Sequence, residues 1–224
     1  GTLRANQPEG VEAFIDYARR AGLTLTPEQI VLCERAVHRY WADGAQVADH
    51  LARFDERGFW INYNQILLSA MGVEGCADCA HRIQDYFDDY RPVDALYPEA
   101  PHVLRALKED GYILGLVSNR DGDLAPLAAQ YGIAGYFNFT LSGGQAGSFK
   151  PDARIFRQAL HLAGNVPASR ALYVGDNYYA DVLGATAVGM EALLIDPRDV
   201  FIGVYDRRVK RLDEVLDFIR AERG

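Results

Sequence analysis

The sequence is short of four things, and each shortage closes a line of function. Cations are outnumbered, 23 Lys and Arg against 31 Asp and Glu for a formal charge of −8. Such a surface is a poor general polyanion binder, so nucleic acid is not an expected partner. Cysteine is scarce and odd in number. Cys33, Cys76 and Cys79 fit a reducing compartment better than a disulfide-stapled secreted domain, and cytoplasmic is the expected location. No apolar run reaches the length of a bilayer span. The first residues carry Glu9, Glu12 and Asp16 instead of a signal's basic start and apolar core, so no membrane partner is expected. Lacking, too, is an initiator methionine: the chain opens Gly1-Thr2-Leu3, which suggests a processed or partial form.

What is present is an ordinary folded composition. The chain has 224 residues, 49% hydrophobic and 24% charged, enough for one large domain or two small ones. From about Val11 to Tyr90 the pattern is helical. Thr26-Pro27-Glu28-Gln29 reads as a capping box with proline at the first helical position, and Ile30, Val31, Ala36 and Val37 follow on about one face. Tyr40, Trp41, Phe54, Phe59, Trp60, Tyr63, Tyr86, Phe87 and Tyr90 crowd this half and predict an aromatic helical core. After Pro98 the pattern changes. Ile113–Val117, Phe137–Leu141, Ala171–Val174 and Ala192–Ile195 are apolar runs of strand length separated by helical patterns, which predicts a parallel sheet flanked by helices.

Reactive groups of an open α/β sheet collect beyond the carboxyl ends of its strands. Here those ends read Ser118-Asn119, then Ser142-Gly143-Gly144 leading to Lys150-Pro151-Asp152, then Gly175-Asp176 with Asp181 five residues on. A hydroxyl with free backbone amides holds a phosphate oxygen, a lysine offsets its charge, and paired carboxylates hold a hard cation. Together they describe a phosphoryl-transfer site.

In their order, Leu114-Gly115-Leu116-Val117-Ser118-Asn119, Lys150-Pro151-Asp152-Ala153-Arg154-Ile155-Phe156 and Gly175-Asp176-Asn177-Tyr178-Tyr179-Ala180-Asp181, followed by Gly184-Ala185, resemble the second, third and fourth motifs of the haloacid dehalogenase superfamily of hydrolases. The resemblance implies an α/β core with a Rossmann-like parallel sheet over residues 1–3 and 96–224, and an α-helical cap domain over residues 4–95. It implies a magnesium-dependent phosphatase of small phosphorylated metabolites, monomeric or homodimeric, working through an aspartyl-phosphate. Ser118 would bind a phosphoryl oxygen and Asn119 would support the substrate-side loop. Lys150 would neutralise nucleophile and phosphate, and Arg120 would face substrate or solvent. Asp176 would ligate Mg2+, and Asp181 would hold a metal-bound water or orient Lys150. Asn177 would support the metal site or cap a helix. Specificity is expected in the cap, in the segment Trp60 to Asn64.

The family's first motif reads Asp-x-Asp-Gly-Thr-Leu at a strand end, and this chain begins at the Gly-Thr-Leu. The resemblance therefore implies that nucleophile and acid–base aspartates stand upstream of Gly1. It further implies that the central first strand is missing, leaving open edges between the strands ending at Ser118 and Gly175, and that residues 1–224 are an inactive, N-terminally truncated form. Asp121 and Asp123 follow a different strand end and read as loop or cap residues. Two alternatives remain open: a haloacid dehalogenase, which the family pattern disfavours because Asp176 is present, and a non-catalytic binding protein of the same fold. Other features read plainly. Cys76-Ala77-Asp78-Cys79, with His81 nearby, lacks a second pair for zinc and reads as surface or core cysteines. Arg207, Arg208, Lys210 and Arg211 read as a solvated helix start. Gly143-Gly144 is a loop, not a dinucleotide fingerprint.

Overall fold

A computed structural model describes every residue except Gly75, Ala77 and Gly224, and the side chain of Arg223. The chain divides into two compact units, one of residues Gly1–Arg4 with Leu96–Gly224, the other of Ala5–Ala95. The second unit opens with β1 (Arg4–Gln7) and continues through α1 (Gly10–Arg20), α2 (Pro27–Ala42), α3 (Gly44–Arg53), α4 (Glu56–Ala70) and α5 (Cys79–Phe87). It closes with β2 (Val93–Leu96), which pairs with β1. Helix starts are chemically marked. Thr26 and Gln29 form the reciprocal capping box at α2 that the sequence predicts, and Glu9 with Glu12 forms a second at α1, a variant lacking the usual Ser or Thr signal.

The aromatic residues of this unit divide into two groups. Tyr40, Phe59 and Tyr63 are buried with Phe14, Leu67 and Ile83 in one apolar core. Trp41, Trp60 and Phe54 keep exposed faces at its margin, so the aromatic set extends beyond the core. The Trp60–Asn64 expectation needs a correction. Asn64 is buried, and its amide reaches Ala80 O and Gln84 Oε1 at 3.4 and 3.3 Å. A buried amide must spend its donors on protein partners, so Asn64 joins α4 to α5 and is closed to a substrate.

The α/β unit runs α6 (Ala100–Glu109), β3 (Gly115–Ser118), α7 (Ala125–Gln130), β4 (Phe139–Ser142), α8 (Gly143–Ala146), α9 (Ala153–Leu162), β5 (Leu172–Gly175), a π-helical turn (Tyr178–Val182), α10 (Leu183–Ala187), β6 (Glu191–Ile195), β7 (Arg208–Val209) and α11 (Glu214–Arg223). Each of the four predicted strand runs forms, the first three shifted by one or two residues toward the carboxyl end and the fourth extended by one residue at its start. All three pairings within this unit are parallel: β3 with β4, β5 with β6, β6 with β7. They form two separate sheets, β3-β4 and β5-β6-β7. Among the described residues, β3 and β5 are each paired on one side only. A cavity of about 770 Å³ is lined by both, with Leu116, Val117, Tyr173, Val174 and Leu3 among its walls.

The basic run also departs from expectation. It is not a solvated helix start: Arg208 lies in β7 and reaches buried Asp196 at 3.5 Å and Asp199 at 2.7 Å, while Lys210 meets Asp199 at 2.5 Å. Arg207 meets Glu191 at 2.9 Å, and α11 begins only at Glu214. Arg207, Arg208 and Lys210 thus have acidic partners that sequence distance concealed, whereas exposed Arg211 pairs with Asp213, two residues on. No described helix is long and apolar enough to cross a membrane.

β6 is the strand bonded on both sides, and Ala192, Leu193 and Leu194 are at most 1% exposed. Its amides should be the slowest of the unit to exchange with deuterium, and those of β3 and β5 faster, since each has an open edge. Equal protection across β3, β5 and β6 in a residue-resolved exchange experiment would show that the edges are not open in solution.

Candidate active site

The strand ends of the α/β unit bring four predicted residues into one bonded chain. Asn119, directly after β3, donates from Nδ2 to Lys150 O at 2.9 Å and accepts from Lys150 N at 2.6 Å. This two-way amide contact fixes the Lys150 backbone, ahead of a cis Lys150–Pro151 peptide. The Lys150 ammonium then donates to Asp181 Oδ1 at 2.6 Å, with 12% and 4% of the two side chains exposed. Asp181 Oδ2 accepts from Asn177 N at 2.9 Å, and Asn177 Oδ1 accepts from Ala180 N. Asn177 thus caps the turn that carries Asp181, in line with its helix-cap reading.

Two glycines permit these approaches. A Cβ on Gly175 would lie 2.4 Å from Asp181 Oδ2, so only glycine lets the carboxylate fold back over the end of β5. A Cβ on Gly144 would lie 2.0 Å from the carbonyl oxygen of Asp121. There the backbone N–H of Gly144 donates to Arg120 O, and the Ser142 hydroxyl donates to Asp121 O. These bonds tie the loop after β3 to the start of α8.

The electrostatics follow from burial. Desolvation alone would push the Lys150 pKa down, but Tyr173 and the Asp181 carboxylate outweigh it and hold the pKa above the ordinary lysine value. Lys150 is therefore an ammonium at neutral pH. Tyr173, on β5, places its ring 5.6 Å from the Lys150 nitrogen. Burial pushes its phenol up to about 12, against the opposing effect of Lys150, so it stays neutral. Sequence reasoning passed over Tyr173 as a strand residue. The available signal was strand alternation, which puts Tyr173 on the same face as Gly175, two residues on.

The other predicted residues stand as follows. Ser118 ends β3, opposite Ser142 of β4. Asp176, following β5, has 41% of its side chain exposed and accepts from the Thr2 hydroxyl at 2.8 Å. Thr2 is a second residue that sequence reasoning did not single out. Both Asp181 oxygens are engaged inside the protein, so its geometry is that of a holder of Lys150. The Arg120 side chain is exposed, and the Arg120 contact seen with the loop is its carbonyl. Asp123 Oδ1 accepts from Ala125 N at the start of α7, a cap contact. The cysteine reading is corrected: Cys76 and Cys79 are joined as a disulfide and Cys33 is free and buried, while Ala77 between them lies outside the described residues.

Compared with known proteins, residues 1–189 match the haloacid dehalogenase-like hydrolase family. The chain is 32% identical over 197 residues to haloacid dehalogenase-like hydrolase domain-containing protein 3 of Bos taurus, across 86% of this chain and 77% of that protein. It is 36% identical over 123 residues to phosphoserine phosphatase of Thermus thermophilus, across 54% and 49%. Among solved structures, an HAD phosphatase from Thermococcus onnurineus superposes with a TM-score of 0.54 at 20% identity, covering 98% of this chain and 94% of that one. A 2-haloacid dehalogenase from Pseudomonas syringae does so with 0.52 at 23%, over the same shares. At these identities the two superpositions establish the fold alone.

Replacing Lys150 by Met should leave Asp181 buried without its cation and lower stability by about 3–5 kcal/mol, whereas Lys150→Met with Asp181→Leu should recover most of it. Because the folded Lys150 pKa lies above the unfolded value, the lysine's contribution is complete from neutral pH to about pH 10 and is lost as pH rises through the folded pKa. Urea midpoints of the wild type and both variants from neutral pH to above 10 check both statements. A single variant as stable as wild type would deny the pair its structural role.

Proposed function

As the chain belongs to the haloacid dehalogenase-like hydrolase family, we propose that its rim is the substrate-binding and charge-neutralising part of a phosphomonoester hydrolase site. The observation that carries this reading is the buried Lys150 ammonium, 2.6 Å from Asp181, whose other oxygen accepts from the N–H of Asn177, the residue after Asp176. Lysine has three N–H donors. Asp181 takes one, Tyr173 engages the ammonium from β5, and the remaining capacity suits a phosphoryl oxygen. Ser118 and the amides after β3 bind a second such oxygen, as preorganised donors do where negative charge builds up. Asp181 orients Lys150. A small phosphorylated metabolite is the substrate class, as similarity to a phosphoserine phosphatase and a phosphoglycolate phosphatase suggests.

The donor set also suits magnesium. Among the described residues no group of three His, Cys, Asp or Glu gathers to enclose a metal by itself. Asp176 offers a half-exposed carboxylate, and a hard cation that keeps waters and takes substrate phosphate needs only one or two such groups. When bound there, Mg2+ offsets phosphoryl charge as a Lewis acid. That role distinguishes the reading from dehalogenation, in which Asp176 has no metal to hold.

The phosphoryl acceptor in this reading is an aspartate outside residues 1–224. Its carboxylate meets Lys150 from the rim end of an extended apolar segment lying between β3 and β5. The cavity there has walls from both strands, with Leu116 and Val117 on one side and Tyr173 and Val174 on the other. The carboxylate oxygen forms the bond to phosphorus as the ester oxygen leaves and takes a proton, and water then releases inorganic phosphate from the acyl phosphate. A chain extended ahead of Gly1 by an apolar strand ending in Asp-x-Asp should hydrolyse p-nitrophenyl phosphate with Mg2+, and residues 1–224 alone should not. Lys150→Met and Asp176→Asn should each lower the extended chain's rate by about 100-fold or more. Halide release from 2-chloropropionate in the presence of EDTA would replace this reading with dehalogenation, and inertness of the extended chain toward both substrates would favour a binding protein.

A further inference from the structure

A hydrolase rim makes no use of the Cys-x-x-Cys run in the helical unit. Cys76 and Cys79 are bonded there with their Cα atoms 5.4 Å apart. Cys79 is the first residue of α5, has no exposed surface and packs into the apolar core, whereas Cys76 is half-buried. On the first turn of α5, Arg82 Nη2 stands 3.3 Å from Cys76 Sγ and 3.5 Å from Cys79 Sγ. A guanidinium can only donate, so it meets both sulfurs with N–H and positive charge, and either sulfur, once released, is favoured as thiolate. The carboxylates nearest in sequence, Glu74 and Asp78, are exposed to solvent. Cys33 shows the contrast: it is free and fully buried, and burial, with Glu34 beside it, pushes its thiol up to about 12. One cysteine is placed to stay inert, and two are placed to react.

We propose that Cys76 and Cys79 form a thiol–disulfide exchange site for low-molecular-weight thiols and disulfides of the glutathione class, with Cys76 as the attacking sulfur, Cys79 as the resolving sulfur and Arg82 as the group that favours their thiolates. The proposal is independent of the reading of the α/β rim. The accessibility difference sets the order of events, because an outside sulfur can reach only Cys76. In the oxidising direction the Cys76 thiol gives up its proton and the thiolate attacks one sulfur of the small disulfide. The small molecule's S–S bond breaks, its other half leaves as thiolate and takes up a proton, and a mixed disulfide remains on Cys76. The Cys79 thiolate then attacks the Cys76 sulfur, closes the ring seen in the structure and expels the second small thiol. Two electrons pass from the protein dithiol to the small disulfide, which departs as two thiols. Two small thiols run the sequence backwards.

The test uses the full chain, equilibrated in buffers of graded reduced and oxidised glutathione, acid-quenched, alkylated and weighed by mass spectrometry. The pair should pass reversibly from dithiol to disulfide within the range, with Cys33 alkylated only after denaturation. Cys79→Ser should trap one glutathione on Cys76, and Cys76→Ser should trap none. Arg82→Met removes the charge that favours the reduced form, so its midpoint should move toward more reducing buffers by about threefold or more, while Arg82→Lys should move it less. A pair that stays wholly oxidised or wholly reduced across the range overturns the proposal, as does a midpoint indifferent to Arg82→Met or glutathione trapped on Cys79. Should a variant fail to fold, as circular dichroism would show, the wild-type titration decides alone.

Discussion

The Lys150–Asp181 ion pair is the contact on which the rim of the α/β unit depends. Two charges taken largely out of water are tolerable only when paired and when their remaining donors and acceptors are used. Several features around the pair meet that condition. Gly175 has no side chain to block the Asp181 carboxylate. Asn177 supplies the backbone N–H for its second oxygen and caps the turn that brings it back. Asn119 holds the Lys150 backbone from the far side. The pair thus joins the end of β3 to the end of β5 through side chains, although the two strands share no backbone pairing.

This arrangement has a chemical consequence. A neutral Lys150 would offer nothing to an anionic substrate, yet burial alone drives lysine toward neutrality. Tyr173 and Asp181 reverse that tendency, so the cation is held in place before any substrate arrives. Preorganised charge of this kind needs no rearrangement when negative charge develops. The helical unit is built on a different principle. Its core is apolar and aromatic, and its polar contacts, such as Asn64 with Gln84, serve helix packing. Its one conspicuous chemical feature, the cysteine pair beneath Arg82, is independent of the rim.

Much of this was legible in the order of residues. Four apolar runs of strand length, separated by helical patterns, identify the parallel strands, because strands buried on both faces read as short continuous apolar segments. Lys150, Asp176 and Asp181 stand out because they follow strand ends at the spacing of the motifs that the chain resembles. The contact made by Asn119 was not legible: it spans 31 residues and turns a loop asparagine into the clamp on Lys150. Tyr173 reads as strand filler until the lysine is seen beside it. The basic run at 207–211 looked solvated because its partners Glu191, Asp196 and Asp199 are up to 16 residues away. Three cysteines in an acidic chain suggested a reducing setting, and composition could not reveal that two of them lie within bonding distance.

By itself, then, the sequence determined the class of fold, the succession of helices and strands, the family and the identity of the charged residues at the strand ends. These depend on local periodicity and on motifs a few residues long, whose physics is complete within a short stretch of chain. Tertiary structure alone decided which of those residues meet, that Asp181 gives one oxygen to Lys150 and the other to the backbone of Asn177, that Asn64 is closed to solvent, and that β3 and β5 flank a cavity instead of each other. Such facts depend on burial and on contacts between distant segments. The energy of a charge or an amide is set by what surrounds it in space, which the order of residues does not state.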